Sequence, residues 1–231
     1  MSSDASIIVL SFQIALVATG VTLPVGMLIA WLLARKQFHG KFALDVFVSL
    51  PLALPPVVVG YALLWLVGTH SWFGSLGESV FGSTLAFTWI AAALAAAVVS
   101  LPLVVRSFTA ALAGVDPRLE VAARGLGSGP FRTFFTITLP LAYRGVIAGA
   151  LLGFVRALSE FGATIVVAGN IPGRTQTIPT AIFTRISAGD SDAAWRLAIV
   201  SILLGVMALA IHNWLLKLSS TGSRDSSEVG R

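Results

Sequence analysis

The sequence has no cysteine and very little charge. Without cysteine there is no disulfide and no thiolate metal site. Only 11% of the residues are Asp, Glu, Lys or Arg, against roughly 25% in ordinary soluble domains. Three histidines, His39, His70 and His212, stand far apart and form no ligand pair, so each reads as a lone, solvated side chain. No Ser/His/Asp set, carboxylate pair or metal-ligand pair lies at helical spacing, which leaves no catalytic residue, metal or cofactor to assign. A phosphate-gripping loop is missing as well. The only Gly-Lys pair, Gly40-Lys41, has Arg35 where the motif needs glycine and Phe42 where it needs Ser or Thr. The chain is expected to hydrolyse no ATP.

What fills the sequence instead is apolar: 56% of the 231 residues are hydrophobic, and the mean hydropathy is +0.91. Five stretches, 7–34, 46–68, 85–112, 141–168 and 193–216, each exceed the roughly 20 residues that cross a bilayer. They predict an all-α membrane protein of about five transmembrane helices. Asp4 stands where a signal peptide would be positive, so the first stretch is expected to remain as a membrane helix. Pro24, Pro55, Pro56 and Pro102 are expected to kink helices one to three. Arg156 and Glu160 interrupt the fourth stretch, which is expected to break near Ser159. The six tryptophans fall mostly near helix ends, as interfacial anchors do.

The net charge of +5 suits membrane orientation better than nucleic acid, which is not expected as a partner. Nine basic residues lie on one side: Arg35, Lys36, Lys41, Arg118, Arg124, Arg132, Lys217, Arg224 and Arg231. The other side has only Arg174 and Arg185. The positive-inside rule then places the N-terminus outside and the C-terminus in the cytoplasm. Residues 1–218 read as one membrane domain, and 219–231, rich in Ser, Gly and charge, as a disordered cytoplasmic tail. The external segment 170–192 either packs at the mouth of a pathway or is an ordered connector.

Between helices three and four the sequence carries a charged island. Asp116 suits an N-cap, Pro117 the first helical position, Glu120 the positive end of the helix dipole, and Gly127 a stop. Leu119, Ala122, Ala123 and Leu126 form a small apolar face. A helix this short needs a partner surface. The residues leave open a docking helix or a connector lying on lipid headgroups.

Ala122, Ala123, Gly127, Ile137, Leu139 and Pro140 match the cytoplasmic pattern E-A-A-x-x-x-G, nine residues, I-x-L-P of ABC importer permeases. The chain resembles the molybdate-permease branch of that binding-protein-dependent family, also through 50–60 (Leu-Pro-Leu-Ala-Leu-Pro-Pro-Val-Val-Val-Gly), 159–164 (Ser-Glu-Phe-Gly-Ala-Thr) and 170–173 (Asn-Ile-Pro-Gly). One departure is the acid: the family's Glu position falls on Val121, and Glu120 stands one residue earlier. The resemblance implies a permease homodimer in the inner membrane, two copies of an ATPase subunit, and a periplasmic or lipid-anchored oxyanion-binding protein. It assigns ATPase coupling to Asp116, Glu120, Ala122, Ala123, Gly127, Leu139 and Pro140. Tungstate or sulfate/thiosulfate are alternative cargoes. An ion-coupled secondary transporter is a further alternative, disfavoured by the absence of an internal repeat.

Arg156 and Glu160, at i,i+4 spacing within the membrane, can pair. They read either as a gate or subunit-interface contact or as a static pair fixing helix packing. Gly145, Gly149 and Gly153, with Ala157, recur every fourth residue on helix four and let a neighbour approach closely. That stripe serves a subunit interface, the pathway, or packing within one chain.

Overall fold

Ser3 accepts a hydrogen bond from the Ser6 amide at 3.3 Å and starts α1 (Asp4–Arg35), 32 residues long. The structure, a computed structural model, describes residues 3–68 and 84–221. Along α1 the hydroxyls of Ser11, Thr19 and Thr22 bond to carbonyls one turn back and so are buried without an unmet donor. Gly26, Ala15, Ala18 and Ala30 make a flat face. Against it lies α4 (Trp89–Ala113), where Ala91, Ala92, Ala93, Ala95, Ala96 and Ala97 are all buried. Lipid tails give no hydrophobic drive between helices, so small residues that allow close van der Waals contact hold this pair. Pro24 and Pro102 lie inside these helices without breaking them, so the kinks expected there are not breaks.

The second apolar stretch is not a single straight helix. It splits into α2 (Lys41–Ala53) and α3 (Pro56–Val67), bent by 111°. Pro55 and Pro56 both lack an amide donor, and a residue before proline is pushed to extended backbone; Leu54 and Pro55 have ψ 144 and 134. Among the described residues, four helices are long and apolar enough to cross a membrane, or five if the bent pair counts as one. Residues 69–83, which include His70 and Trp72, lie outside the described residues.

α5 (Pro117–Gly125) follows, then α6 (Pro130–Thr133), a π-helical turn at Phe134–Thr138, and α7 (Leu139–Leu158). These last three form one run, Pro130–Leu158, which starts well before the expected residue 141. Pro140 does not end it. The Leu139 amide reaches back to Phe134 O, and that wider turn makes room for a proline ring that would strike the carbonyl of a regular turn.

The chain breaks after Leu158, as the sequence predicts, and re-forms as the short α8 (Gly162–Val167). Segment 170–192 is ordered and carries α9 (Ile178–Ser187), opened by a reciprocal Thr177–Thr180 capping box. The Ile178 amide donates to Ser11 Oγ at 2.8 Å, and Arg185 is ion-paired to Asp4, so this segment is tied to the start of α1. α10 (Ser191–Thr221) closes the fold. Its helix runs on to Thr221, past the expected start of the tail, whose remaining residues lie outside the description. His212 is not simply solvated. Its Nδ1 lies 2.9 Å from Ala148 O and links α10 to α7.

The glycine stripe is occupied from within the chain. A Cβ at Gly145 or Gly149 would stand 2.7 Å from the Cβ of Ala111 or Ser107, and one at Gly153 would stand 2.3 Å from Val104 Cγ2. α4 fills the stripe, and Ala157 joins the same core. The space these glycines vacate is taken up within the chain, by Ala111, Ser107 and Val104.

Candidate functional site

α5 forms where the sequence places it. Asp116 Oδ1 accepts from the Arg118 amide at 2.9 Å, Pro117 takes the first position, and Gly127, at φ +86, turns the chain out of the helix. A side chain at that φ would be strained, so glycine is the natural stop. Ser128 N then bonds Ala123 O at 3.0 Å.

The inward side of α5 differs from the expected apolar face. Glu120 is the buried residue of this helix, 5% exposed. A buried carboxylate needs partners, and three side chains converge on this one. Arg35 Nε, from the last turn of α1, meets Glu120 Oε1 at 2.8 Å. Thr138 Oγ1, from the π-helical turn, donates to the same oxygen at 2.8 Å. Arg124 Nη2 meets Oε2 at 3.2 Å, while Arg35 Nη2 donates to Val115 O at 3.0 Å. Leu139 and Pro140 follow Thr138 directly, so this network fixes the start of α7 as well.

With Glu120 turned in, the apolar side chains of α5 turn out. Leu119 and Val121 are exposed, and Leu126 is 91% exposed. Ala122 is exposed and Ala123 half-buried. Phe131 adds a further exposed ring just beyond. The result is a small apolar knob on a rigid ionic base.

A second cluster lies where α7 breaks. Arg156 Nη1 pairs with Glu160 Oε2 at 2.8 Å, with side-chain exposures of 28% and 2%. Glu160 Oε1 also accepts the Ala163 amide at 2.8 Å, satisfying a donor at the start of α8. α8 is pressed onto α3: Gly60 faces the backbone of Ala163, and Gly162 faces Pro56. Beyond α8, Phe87 N donates to Val167 O at 3.0 Å, and its ring covers Gly169. Glu160 therefore does two jobs and Arg156 one. Glu160→Ala is expected to lower transport-coupled ATPase activity more than Arg156→Ala does, with both variants reaching the membrane. The double variant should match Glu160→Ala alone. Full additivity in that cycle would remove the case for a working pair.

Sequence reasoning did not single out Arg35 as the partner of Glu120, which is 85 residues away, and no local pattern announces it. It also passed over Arg106, inside α4. The signal there was a lone arginine in an apolar stretch with no acid three or four residues away.

The family model for the binding-protein-dependent transport system inner membrane component matches residues 22–218. A relative in Escherichia coli (strain K12), the molybdenum transport system permease protein ModB, is 51% identical over 92% of this chain and 93% of its own. A probable sulfate transport system permease protein, cysT, of Chlorokybus atmophyticus is 36% identical over 91% of this chain and 73% of its own. Among solved structures, an inward-facing MetNI methionine ABC transporter has a TM-score of 0.62 at 16% identity, covering 91% of this chain and 93% of that one. At that identity the likeness shows the fold.

Proposed function

Because this chain belongs to the family of binding-protein-dependent transport system inner membrane components, we propose that it admits molybdate to the cytoplasm as one half of a homodimeric permease. It is a multi-pass membrane subunit of an ABC importer and is not itself an enzyme. In our reading two copies of a separate ATPase subunit drive it, and an external oxyanion-binding protein delivers the cargo. The basic residues of the 35–41 and 118–132 loops favour a cytoplasmic position for α5, with the N-terminus outside.

The observation that carries the coupling role is the geometry of α5. An interfacial connector would bury its apolar side chains in lipid and leave its acid in water. Here the acid is clamped inward by Arg35 and Thr138, and Leu119, Val121 and Leu126 stand exposed around the rest of the helix. That arrangement suits a rigid knob entering a groove on another protein. Movement of the knob reaches α1 through Arg35 and α7 through Thr138. Val121 stands where the family pattern has its glutamate, so apolar contact here takes the place of charge.

Two measurements test this reading. Val121→Asp changes an exposed position and should leave membrane insertion and stability within about 0.5 kcal/mol, yet reduce co-purification of the ATPase at least tenfold. Retention of the ATPase at its original level would make α5 a passive connector. For the cargo, the reconstituted complex should take up labelled molybdate and be competed by tungstate better than by sulfate. The stronger identity to the molybdenum permease than to the sulfate permease favours that order; stronger competition by sulfate would reverse the assignment.

A further inference from the structure

A groove of about 740 Å³ opens between the end of α1, the first half of α2 and the last half of α4, lined among others by Leu33, Lys41, Asp45, Arg106, Thr109 and Ala110. Arg106 and its partner stand well inside the helices that frame this groove. Arg106 lies seven residues before the end of α4 at Ala113, roughly 10 Å at 1.5 Å per residue. Its partner Ser49 lies eight residues into α2 from Lys41, roughly 12 Å by the same rise. Both place the guanidinium well inside the helix ends.

A charged head at such a depth must face protein or water. Arg35, Arg156 and Arg185 are each held by a carboxylate. Among the described residues Arg106 is not. Its Nη2 donates only to Ser49 Oγ, at 3.2 Å, and Asp45 lines the same groove without forming an ion pair with it. Arg106 is exposed, as are Ala110 and Ala113 on the same face of α4. Ser49 accepts from Arg106 and keeps its own hydroxyl proton for donation. Two donors thus stand together beside a wall of Leu33, Phe42, Val105 and Ala110 that also carries Lys41, Asp45 and Thr109.

We propose that this groove is a water-filled passage for a small oxyanion, with Arg106 as its fixed positive contact and Ser49 as the adjoining donor. The assignment rests on the reading of the chain as an oxyanion permease. A guanidinium that no carboxylate pairs attracts an anion, while the carboxylate of Asp45 on the same wall opposes tight binding, so the site favours transit over capture. Lys41 lies nearer the end of α2 and adds positive charge toward the mouth.

The lack of native cysteine makes the test direct. Ala110→Cys puts a thiol one turn from Arg106 in the complete permease–ATPase complex in inverted vesicles. Labelling of this subunit is followed with an anionic and a cationic methanethiosulfonate, ethylsulfonate and ethyltrimethylammonium. Relative to their ratio on free cysteine, the anionic reagent should be favoured about tenfold, the size of one nearby unit charge acting on both reagents in water. Arg106→Gln should bring the ratio near one, and Arg106→Lys should keep it raised. Ala113→Cys, on the same face, provides a second thiol if the first variant assembles poorly. No labelling at either position, as expected under lipid or a second subunit, overturns the passage. Labelling without charge preference overturns it equally. Slowing of the labelling by sulfate but not by molybdate would leave the passage standing and refute the molybdate cargo.

Discussion

Glu120→Ala is expected to disable the permease more thoroughly than loss of any exposed side chain on α5. The substitution leaves Arg35 as a buried, unpaired charge, since the guanidinium keeps only Val115 O. Breaking one partner of a buried pair costs about 3–5 kcal/mol. At tenfold per 1.4 kcal/mol, the population of locked α5 should fall by a factor of roughly 10² to 4 × 10³. Amide exchange across 117–125 should speed up accordingly, and ATPase coupling should fall with it. Replacing both partners separates charge from shape. Arg35→Met combined with Glu120→Leu removes the uncompensated ion and should recover most of the protection, because apolar pairs often replace buried ionic ones without loss. If the double variant is as open as Glu120→Ala, the network is more than a clamp. If Glu120→Ala exchanges at the native rate, the clamp does not hold the helix.

Gly60→Ala should produce the other large effect, through shape alone. The added methyl would stand 2.6 Å from Ala163 O and 2.8 Å from Ala163 Cα. Both are backbone atoms, so no side-chain rotation relieves the clash, and α8 must lift away from α3. Overpacking of this kind costs about 1–3 kcal/mol, and a backbone obstacle puts it at the upper end. Uptake should be lost and the thermal transition lowered. Gly20→Ala is the matched control: nothing lies within 4 Å of its Cβ position, and it sits in the same membrane domain on α1. That change should be neutral or mildly stabilising, since alanine suits a helix better than glycine by about 0.5–1 kcal/mol. Equal loss from both variants would mean that helix propensity, rather than the α3–α8 contact, governs the result.

The sequence disclosed what depends on near neighbours. The Asp116 cap, the Gly127 stop, the break at Ser159 and the Arg156–Glu160 pair all arise within four residues along one helix. Helical periodicity makes such features readable. It does not reveal which distant segment fills a gap. Glycines 145, 149 and 153 announced a close approach but not that α4 makes it. The charge of Glu120 was legible; its direction was not, because Arg35 and Thr138 reach it from other elements. Asp4 and Arg185 are 181 residues apart, so only the folded chain brings them together. The double proline at 55–56 foretold a kink, and the structure makes it a 111° turn, because two successive residues lack donors.

The contact between Gly60 and Ala163 also sets a schedule for biogenesis. The two residues are 103 positions apart (163 − 60), and a chain lengthens at roughly 5–20 residues per second. For about 5–20 s of synthesis, α3 is complete while the helix that closes over it does not yet exist. Neither α3 nor α8 is long enough to span as an independent rod, so neither can complete its insertion in isolation. The slot at Gly60 can be filled only after the ribosome has delivered α4, α5 and α7.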